Sequence, residues 1–181
     1  MEDRVKNTQY RKYTNAEAVD ILHKVSNFYV VTKKARDYGT GDIYTSVEVH
    51  TVKYIGDNPG ITVTEMARDY GRTKGAVSQI LKKLEDKELV YRETDPRNSN
   101  KQFLYVTKKG EELNEIHRQY DEISFGESID PVKNMLSEEE VNNAFKVLEV
   151  WLDVRRDLHQ KRIKTEKIKN KELRKQLKNQ E

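Results

Sequence analysis

Apolar residues recur every three or four positions along most of the chain, which is the spacing of one face of an α-helix. The pattern predicts six helices, four before a β-hairpin and two after it. Thr73 and Thr107 are suited to cap two of them. Ser/Thr-x-x-Glu sequences, typical of a capping box, predict the starts of the other four: Thr14 with Glu17, Thr45 with Glu48, Thr62 with Glu65, and Ser137 with Glu140.

Turn-forming residues separate the predicted helices. Gly39 and Gly41 are expected to end the first helix, and the Asp-Asn-Pro-Gly sequence at 57–60 separates the second from the third. Gly71 allows a tight turn between the third and the fourth. The fifth helix is expected to break at the Asp-Pro pair of residues 130–131, because proline disrupts a helix interior.

The fourth helix has two unlike faces. Its apolar side is expected to anchor it to the domain and comprises Ala76, Val77, Ile80, Leu81 and Leu84. Its other side is polar and cationic and comprises Thr73, Lys74, Gly75, Ser78, Gln79, Lys82 and Lys83. An α-helix fits the major groove of duplex DNA, where Gln pairs with adenine and Lys reaches guanine or phosphate. The polar side is therefore a candidate DNA-reading surface, with a solvated charged face as the alternative.

Within that surface we expect a division of roles. Ser78 and Gln79, with Thr73 and Lys74, are predicted to lie near base edges or the flanking phosphates, whereas the lysines at 82 and 83 favour phosphate. Gly75 would let the start of the helix approach the duplex closely.

A polar hairpin follows the fourth helix. Residues 91–94 and 103–106 suit two antiparallel strands, and residues 95–101 between them are rich in turn formers. At the tip, a guanidinium can enter a narrow minor groove, where the potential is most negative. The hairpin residues predicted to contact DNA or to orient such contacts are Arg92, Asp95, Arg97, Asn98 and Lys101. The alternative is that Arg97 is an ordinary exposed loop arginine without contact to DNA.

Charge is distributed unevenly along the chain. The net charge is only +3, but residues 155–181 contain 11 Lys and Arg against 4 Asp and Glu. The run from Arg155 to Lys178 could be a solvated helix extension, a phosphate-binding arm or a partner-binding segment. Hydrophobic residues make up 35% and charged residues 36% of the chain, so a helical protein that hides apolar area in a partner is favoured.

Several classes of function lack the residues they require. The chain has no cysteine, no glycine-rich phosphate loop and no nucleophile elbow, so we expect neither an enzyme nor a cofactor. Its histidines, His23, His50, His117 and His159, are scattered without metal-ligand spacing. Three could meet near a dimer base, yet we expect no metal site. We also expect no membrane span and no secretory signal, and hence a reducing, cytoplasmic location.

Residues 45–113 resemble the MarR family of winged helix-turn-helix transcription regulators. The resemblance rests on Glu48, Ile55, Asn58-Pro59-Gly60, the run Thr62-Val63-Thr64-Glu65-Met66-Ala67, Thr73-Lys74, Val77-Ser78-Gln79, Leu84-Glu85, Lys87, Leu89-Val90, Asp95-x-Arg97 and Thr107-x-x-Gly110. The most specific part of this resemblance is the Asp-x-Arg sequence, followed by Leu104 and the Thr-x-x-Gly sequence. Two departures are Glu88, where the family usually has glycine, and the long basic tail.

The resemblance implies a homodimer whose terminal helices interlock and whose two winged helices sit on successive major grooves. It implies that Ser78 and Gln79 face bases and that Arg97 enters the minor groove. It also implies a pseudo-palindromic operator, and repression relieved by a small ligand, often a phenolic or drug-like anion. The predicted dimer residues are Leu22, Phe145, Leu148, Trp151 and Leu152, although packing within one chain is the alternative.

A site for a small effector is the least specific of these predictions. Tyrosines cluster on and between the first two helices, where a phenol could stack on an aromatic ligand or simply pack in the core. The candidate pocket residues are Tyr29, His50 and Tyr54.

The sequence thus predicts a mainly α protein with a small β-hairpin wing, in which dimerisation helices flank a winged helix-turn-helix. Residues 1–44 form an N-terminal arm and helix, 45–110 the DNA-binding domain, 111–158 the C-terminal helices and 159–181 the basic tail. The expected partners are double-stranded DNA, a second copy of the chain and possible small effectors. A winged-helix module that binds protein, without specific DNA binding, is the alternative.

Overall fold

Six helices and five strands make up the computed structural model, which describes residues 12–32 and 34–178. Helix α1 (Asn15–Thr32) precedes α2 (Ser46–Asp57), α3 (Val63–Asp69) and α4 (Lys74–Asp86). Two longer helices follow the hairpin, α5 (Lys108–Lys133) and α6 (Glu138–Lys178). The predicted class, mainly helical with a small hairpin, is confirmed.

The strands form two small antiparallel sheets. Strands β1 (Arg36–Asp37) and β2 (Ile43–Tyr44) pair between α1 and α2. In the second sheet, β5 (Asn98–Val106) lies between β3 (Ile61–Thr62) and β4 (Val90–Asp95). The β4–β5 hairpin, which we call the wing, is thereby held at its base by a third strand that the sequence did not predict.

All four predicted capping boxes are present. In the box that opens α2, the Thr45 hydroxyl accepts from the backbone N–H of Glu48 at 3.3 Å, and the Glu48 carboxylate accepts from the backbone N–H of Thr45 at 2.7 Å. The boxes starting at Thr14, Thr62 and Ser137 have the same reciprocal bonds. Local side-chain chemistry therefore sets where these helices begin.

The hydrophobic core lies within the helix-turn-helix and the wing base. It combines apolar residues of α2, α3, α4 and the start of α5 with those of the sheet and of the turn before β4: Val49, Val52, Ile55, Met66, Val77, Leu81, Leu84, Leu89, Leu104 and Leu113. Helices α1 and α6 contribute little to this core. Within residues 12–32 and 34–178, no helix has the combined length and apolar character needed to cross a membrane.

The predicted break of α5 at residues 130–131 is wrong. The helix continues through Pro131 to Lys133, and Asn134 caps its end by donating to the backbone oxygen of Asp130. Proline removes one N–H and crowds the carbonyl four residues earlier. Because Pro131 lies in the last turn, the helix ends soon after it. The helix therefore ends at Lys133, three residues after Asp130.

The glycines at 39 and 41 do not end α1, which stops at Thr32. They form the turn of the β1–β2 hairpin, with φ of 84° and 82°. The Asp37 carboxylate accepts from the backbone N–H groups of Gly39, Thr40 and Gly41 at 2.7–3.1 Å. This turn requires positive φ at two positions, and glycine supplies it without a steric cost.

The basic tail continues α6 without interruption as far as Lys178. The proposed boundary between residues 158 and 159 therefore falls inside one 41-residue helix. Residues 1–11 of the predicted N-terminal arm, Lys33 and residues 179–181 lie outside the described part of the chain.

The junction between α4 and β4 is strained at Glu88, where the family that the sequence resembles usually has glycine. Glu88 has φ of 58°, in the left-handed region that costs a non-glycine residue about 1 kcal/mol. The backbone N–H of Leu89 donates to the oxygen of Leu84 at 2.9 Å, and the Thr107 hydroxyl donates to the oxygen of Glu88 at 2.6 Å. These bonds hold the unfavourable conformation in place.

Gly110, in the first turn of α5, offers a direct test of this packing. A Cβ at position 110 would lie 2.1 Å from the backbone oxygen of Leu89, which cannot move without disturbing the sheet. We expect Gly110→Ala to lower the free energy of unfolding by about 3 kcal/mol, measured by urea denaturation. Gly75→Ala is the matched control, because a Cβ there meets nothing within 4 Å and alanine favours a helix. Equal stability of Gly110→Ala and the wild type would contradict the packing.

Candidate nucleic-acid interface

Helix α4 is anchored by one face and open on the other. Val77, Leu81 and Leu84 are completely buried. The predicted polar residues lie outside this face: Ser78 is half-buried, while Thr73, Lys74, Gly75, Gln79, Lys82 and Lys83 are exposed. The helix therefore presents a continuous surface of hydrogen-bonding and cationic side chains to solvent.

The start of α4 combines a cap with an open approach. The Thr73 hydroxyl accepts from the backbone N–H of Ala76 at 3.2 Å, which orders the first turn. Gly75, two residues on, has open space where a side chain would project. The protein's own packing does not require glycine at this position, which is consistent with the predicted close approach of a duplex.

The wing ends in a two-residue turn. Asp95 pairs with Asn98 across the hairpin, so Pro96 and Arg97 form the tip. The Asp95 carboxylate accepts from the backbone N–H of Arg97 at 2.8 Å, and thus orders the backbone that carries the guanidinium. Arg97 is exposed, as expected for a residue that reaches into a groove.

The other predicted wing residues differ in their surroundings. Asn98 and Lys101 are exposed, and the Lys101 ammonium lies 4.7 Å from the centre of the Phe103 ring. Arg92 is only 22% exposed and bonds to both carboxylate oxygens of Glu85, at 2.5 and 3.1 Å. A further bond joins Arg92 to Gln102 at 3.1 Å.

These bonds give Arg92 a positioning role that the sequence did not reveal. A bidentate arginine–carboxylate pair has a defined geometry as well as a charge attraction. Because Glu85 lies in the last turn of α4 and Arg92 lies on β4, the pair holds the wing stem beside the helix. Contact of Arg92 with phosphate stays a prediction, and it would compete with this pair.

A second ion pair joins the end of α4 to the start of α2. The Lys87 ammonium lies 2.8 Å from the Glu48 carboxylate and also donates to the backbone oxygen of Ile43 at 3.1 Å. Burial opposes ionisation of Glu48, but the bonds from Lys87 and Thr45 prevail and lower its pKa. The capping carboxylate therefore stays charged and fixes α2 relative to α4.

Helix α6 passes the turn between α3 and α4. Arg156 donates from Nε to the backbone oxygen of Asp69 at 3.1 Å. The His159 ring lies 3.8 Å from the position that a Cβ on Gly71 would occupy. The basic part of α6 therefore starts beside the residues that lead into α4.

The three predicted effector residues are not brought together. Tyr29 lines an open groove of about 940 Å³, together with Phe28, Arg36, Tyr38 and Tyr120. His50 lines a separate cavity of about 190 Å³. Tyr54 donates to the Asp69 carboxylate at 2.6 Å. Tyr38 belongs to the tyrosines that the sequence placed between the first two helices. Sequence reasoning missed Arg36, Arg118 and Tyr120, because they come from segments far apart in the chain.

The predicted dimer residues lie on surfaces that have little cover within one chain. Phe145, Leu148, Trp151 and Leu152 of α6 are 40–45% exposed, and Leu22 of α1 is half-buried. Other apolar residues of α1 are exposed further, including Phe28 at 74% and Val31 at 75%. Large apolar surfaces of this kind mark interaction sites in soluble proteins.

Comparisons with known proteins agree with this geometry. The MarR family model matches residues 44–99. The Bacillus subtilis (strain 168) protein described as "Uncharacterized HTH-type transcriptional regulator YhjH" is 30% identical over 84 residues, which cover 46% of this chain and 48% of that protein. The chain spans about half the length of the curated relatives it matches.

Solved structures extend the likeness beyond the central domain. Streptococcus pneumoniae FabT in complex with DNA has a TM-score of 0.58 to this chain, and the S. aureus MepR–DNA complex one of 0.59. Each is 24% identical, and the alignments cover 80% and 79% of this chain and 96% and 99% of those chains. At this identity they establish the winged-helix fold. The match of the MarR family model to residues 44–99 confirms the resemblance that the sequence predicted.

Proposed function

We propose that the protein is a sequence-specific DNA-binding transcriptional regulator that acts as a homodimer, most simply as a repressor of MarR type. One observation carries the proposal: helix α4 presents its polar side to solvent while an arginine-tipped wing is fixed beside its last turn. A helix of this size fits the major groove, and an arginine fits the minor groove. The MarR-family match to residues 44–99 supports this assignment.

We assign base reading to Ser78 and Gln79, since glutamine can pair bidentately with adenine. Thr73, Lys74, Lys82 and Lys83 are assigned to phosphates or flanking bases, and Gly75 to the close approach of the backbone. On the wing, Arg97 is assigned to the minor groove, with Asn98 and Lys101 beside it.

Homodimerisation is proposed from the apolar faces of α1 and α6. A single winged helix makes a small contact with DNA, whereas two joined heads gain affinity and define the spacing of two half-sites. The exposed residues of α1 and α6 supply the apolar area that a helical dimer buries. A pseudo-palindromic operator follows from the two-fold symmetry of such a dimer.

Release by a small effector is proposed for the groove that Tyr29 lines. Its wall combines aromatic rings with the cations Lys24, Arg36 and Arg118, a chemistry that suits an aromatic anion. We propose that the protein works in the cytoplasm and without catalysis.

The basic part of α6 is either a phosphate arm, a partner-binding segment or a solvated extension.

The decisive experiment selects bound duplexes from a random pool with the full-length protein. We expect a pseudo-palindromic motif, with a half-site spacing of about one helical turn. Selection with Gln79→Ala should relax the preference at one position per half-site by about 1–3 kcal/mol.

Gln119→Ala, an exposed glutamine of α5, is the matched control and should recover the wild-type motif. An unchanged motif with Gln79→Ala would remove base reading from that residue. Failure to retain any duplex at low salt would instead favour the alternative, a winged-helix module that binds protein.

Arg97→Ala should weaken binding to every duplex and leave the preferred sequence largely intact. Loss of one cationic contact lowers the slope of log affinity against log salt concentration by about one. Fluorescence anisotropy at several salt concentrations measures both quantities. Arg118→Ala removes an exposed arginine from α5 and should leave the slope unchanged. Equal slopes for Arg97→Ala and the wild type would exclude a wing contact with DNA.

Leu148→Asp should convert the dimer to a monomer, because it places a charge within the apolar face of α6. Sedimentation velocity would report the mass, and operator affinity should fall with it. Lys146→Asp changes the charge on the same helix without removing apolar surface, and should stay dimeric. A dimeric Leu148→Asp variant would place the dimer interface elsewhere.

A further inference from the structure

Two histidines and an aspartate converge where α2 packs against α5. His50 lies on α2, and His117 and Asp121 lie one turn apart on α5. One ligand atom from each, an imidazole nitrogen or a carboxylate oxygen, lies within 4.8 Å of the other two. The sequence separates His50 from His117 by 67 positions, so only the fold brings them together.

Two of the three separations within this cluster are those expected between neighbouring ligands of a metal ion, and the third is at most 4.8 Å. His117 Nε2 lies 3.4 Å from His50 Nδ1 and 3.3 Å from an Asp121 carboxylate oxygen. A tetrahedral zinc ion with bonds of about 2.0–2.1 Å places neighbouring ligand atoms about 3.3–3.4 Å apart. Hydrogen bonds between nitrogen and oxygen are commonly shorter, near about 2.9–3.0 Å.

The proton count points the same way. A neutral imidazole nitrogen is either a donor or an acceptor, and Nε2 of His117 carries at most one hydrogen. It can make one linear hydrogen bond, to His50 or to Asp121, or share its hydrogen between them. A cation placed between the three atoms would accept electron pairs from all of them at once.

We propose that His50, His117 and Asp121 bind a divalent zinc ion, with a fourth position left for water. Two imidazoles and one carboxylate are a ligand set that zinc uses in proteins, and imidazole binds zinc in its neutral form. With those ring nitrogens bound to the ion, the imidazole protons would lie on Nδ1 of His117 and on Nε2 of His50.

The surroundings of the cluster suit a pre-formed site with an entrance. His117 is 1% exposed, and the Tyr38 ring packs edge-on against it with centres 5.4 Å apart, which fixes the imidazole plane. The Asp121 side chain is 35% exposed and lines the open groove, so an ion can enter from that side. His50 lines the smaller cavity on the other side of the cluster.

A bound ion would join two parts of the molecule. Helix α2 belongs to the core beneath α4, and α5 leads from the wing to the C-terminal helices. The proposal replaces the predicted absence of a metal site. It also gives His50 a role as a ligand in place of the effector contact expected from the sequence.

Zinc chloride alone, titrated into the metal-free full-length protein in competition with a chromophoric chelator, tests the proposal. We expect one zinc ion per chain. The variants are His50→Gln and Asp121→Asn, chosen because neither truncates the buried His117. Each should weaken zinc binding about 100-fold or more. Loss of a residue that only supports a ligand costs up to about 100-fold, and loss of a direct ligand should cost at least as much. Cobalt substituted for zinc should give the intense visible absorption of a tetrahedral site.

His23→Gln and His159→Gln are matched controls, because both histidines are exposed and distant in sequence from the cluster. They should bind zinc as the wild type does. Equal zinc affinity in His50→Gln, Asp121→Asn and the wild type would overturn the proposal, as would a weak, octahedral cobalt spectrum. The measurement contains no DNA, so it stands or falls separately from the proposed regulatory function.

Discussion

The connection from α4 through Glu88 and Leu89 into β4 is the constraint on which the geometry of the interface depends. Glu88 adopts a left-handed conformation, the backbone oxygen of Leu89 receives the Thr107 N–H at 3.0 Å, and Gly110 leaves no room for a side chain beside that oxygen. Three elements thus meet at one buried backbone segment. The Arg92–Glu85 pair adds a second tie, so α4 and the wing keep a fixed relation.

Helices α1 and α6 differ from the helix-turn-helix in how much apolar surface they bury. The helix-turn-helix buries its own core, whereas α1 and α6 leave much of their apolar surface exposed in a single chain. Exposed apolar area of this kind is unfavourable in water, and in the proposed homodimer a second copy would cover it. The stability of the helix-turn-helix and the proposed dimerisation then depend on different sets of residues.

The cavities and the histidine cluster lie between these two parts. The groove combines side chains of α1, β1 and α5, and the cluster joins α2 to α5. A ligand bound at either place would contact helices that lead toward the helix-turn-helix and toward α6. If the proposed dimer forms, such a location would allow ligand binding to alter the spacing of its two winged helices.

The sequence by itself determined the order of the six helices, the capping boxes and the two faces of α4, because each of these depends on residues a few positions apart. The family resemblance marked position 88, where glycine is usual, and the structure has a positive φ there. Only the tertiary structure decided the third strand, the β1–β2 hairpin, the Arg92–Glu85 pair and the convergence of His50 with His117. Contacts between distant segments follow from the packing of whole elements, and no local pattern records them.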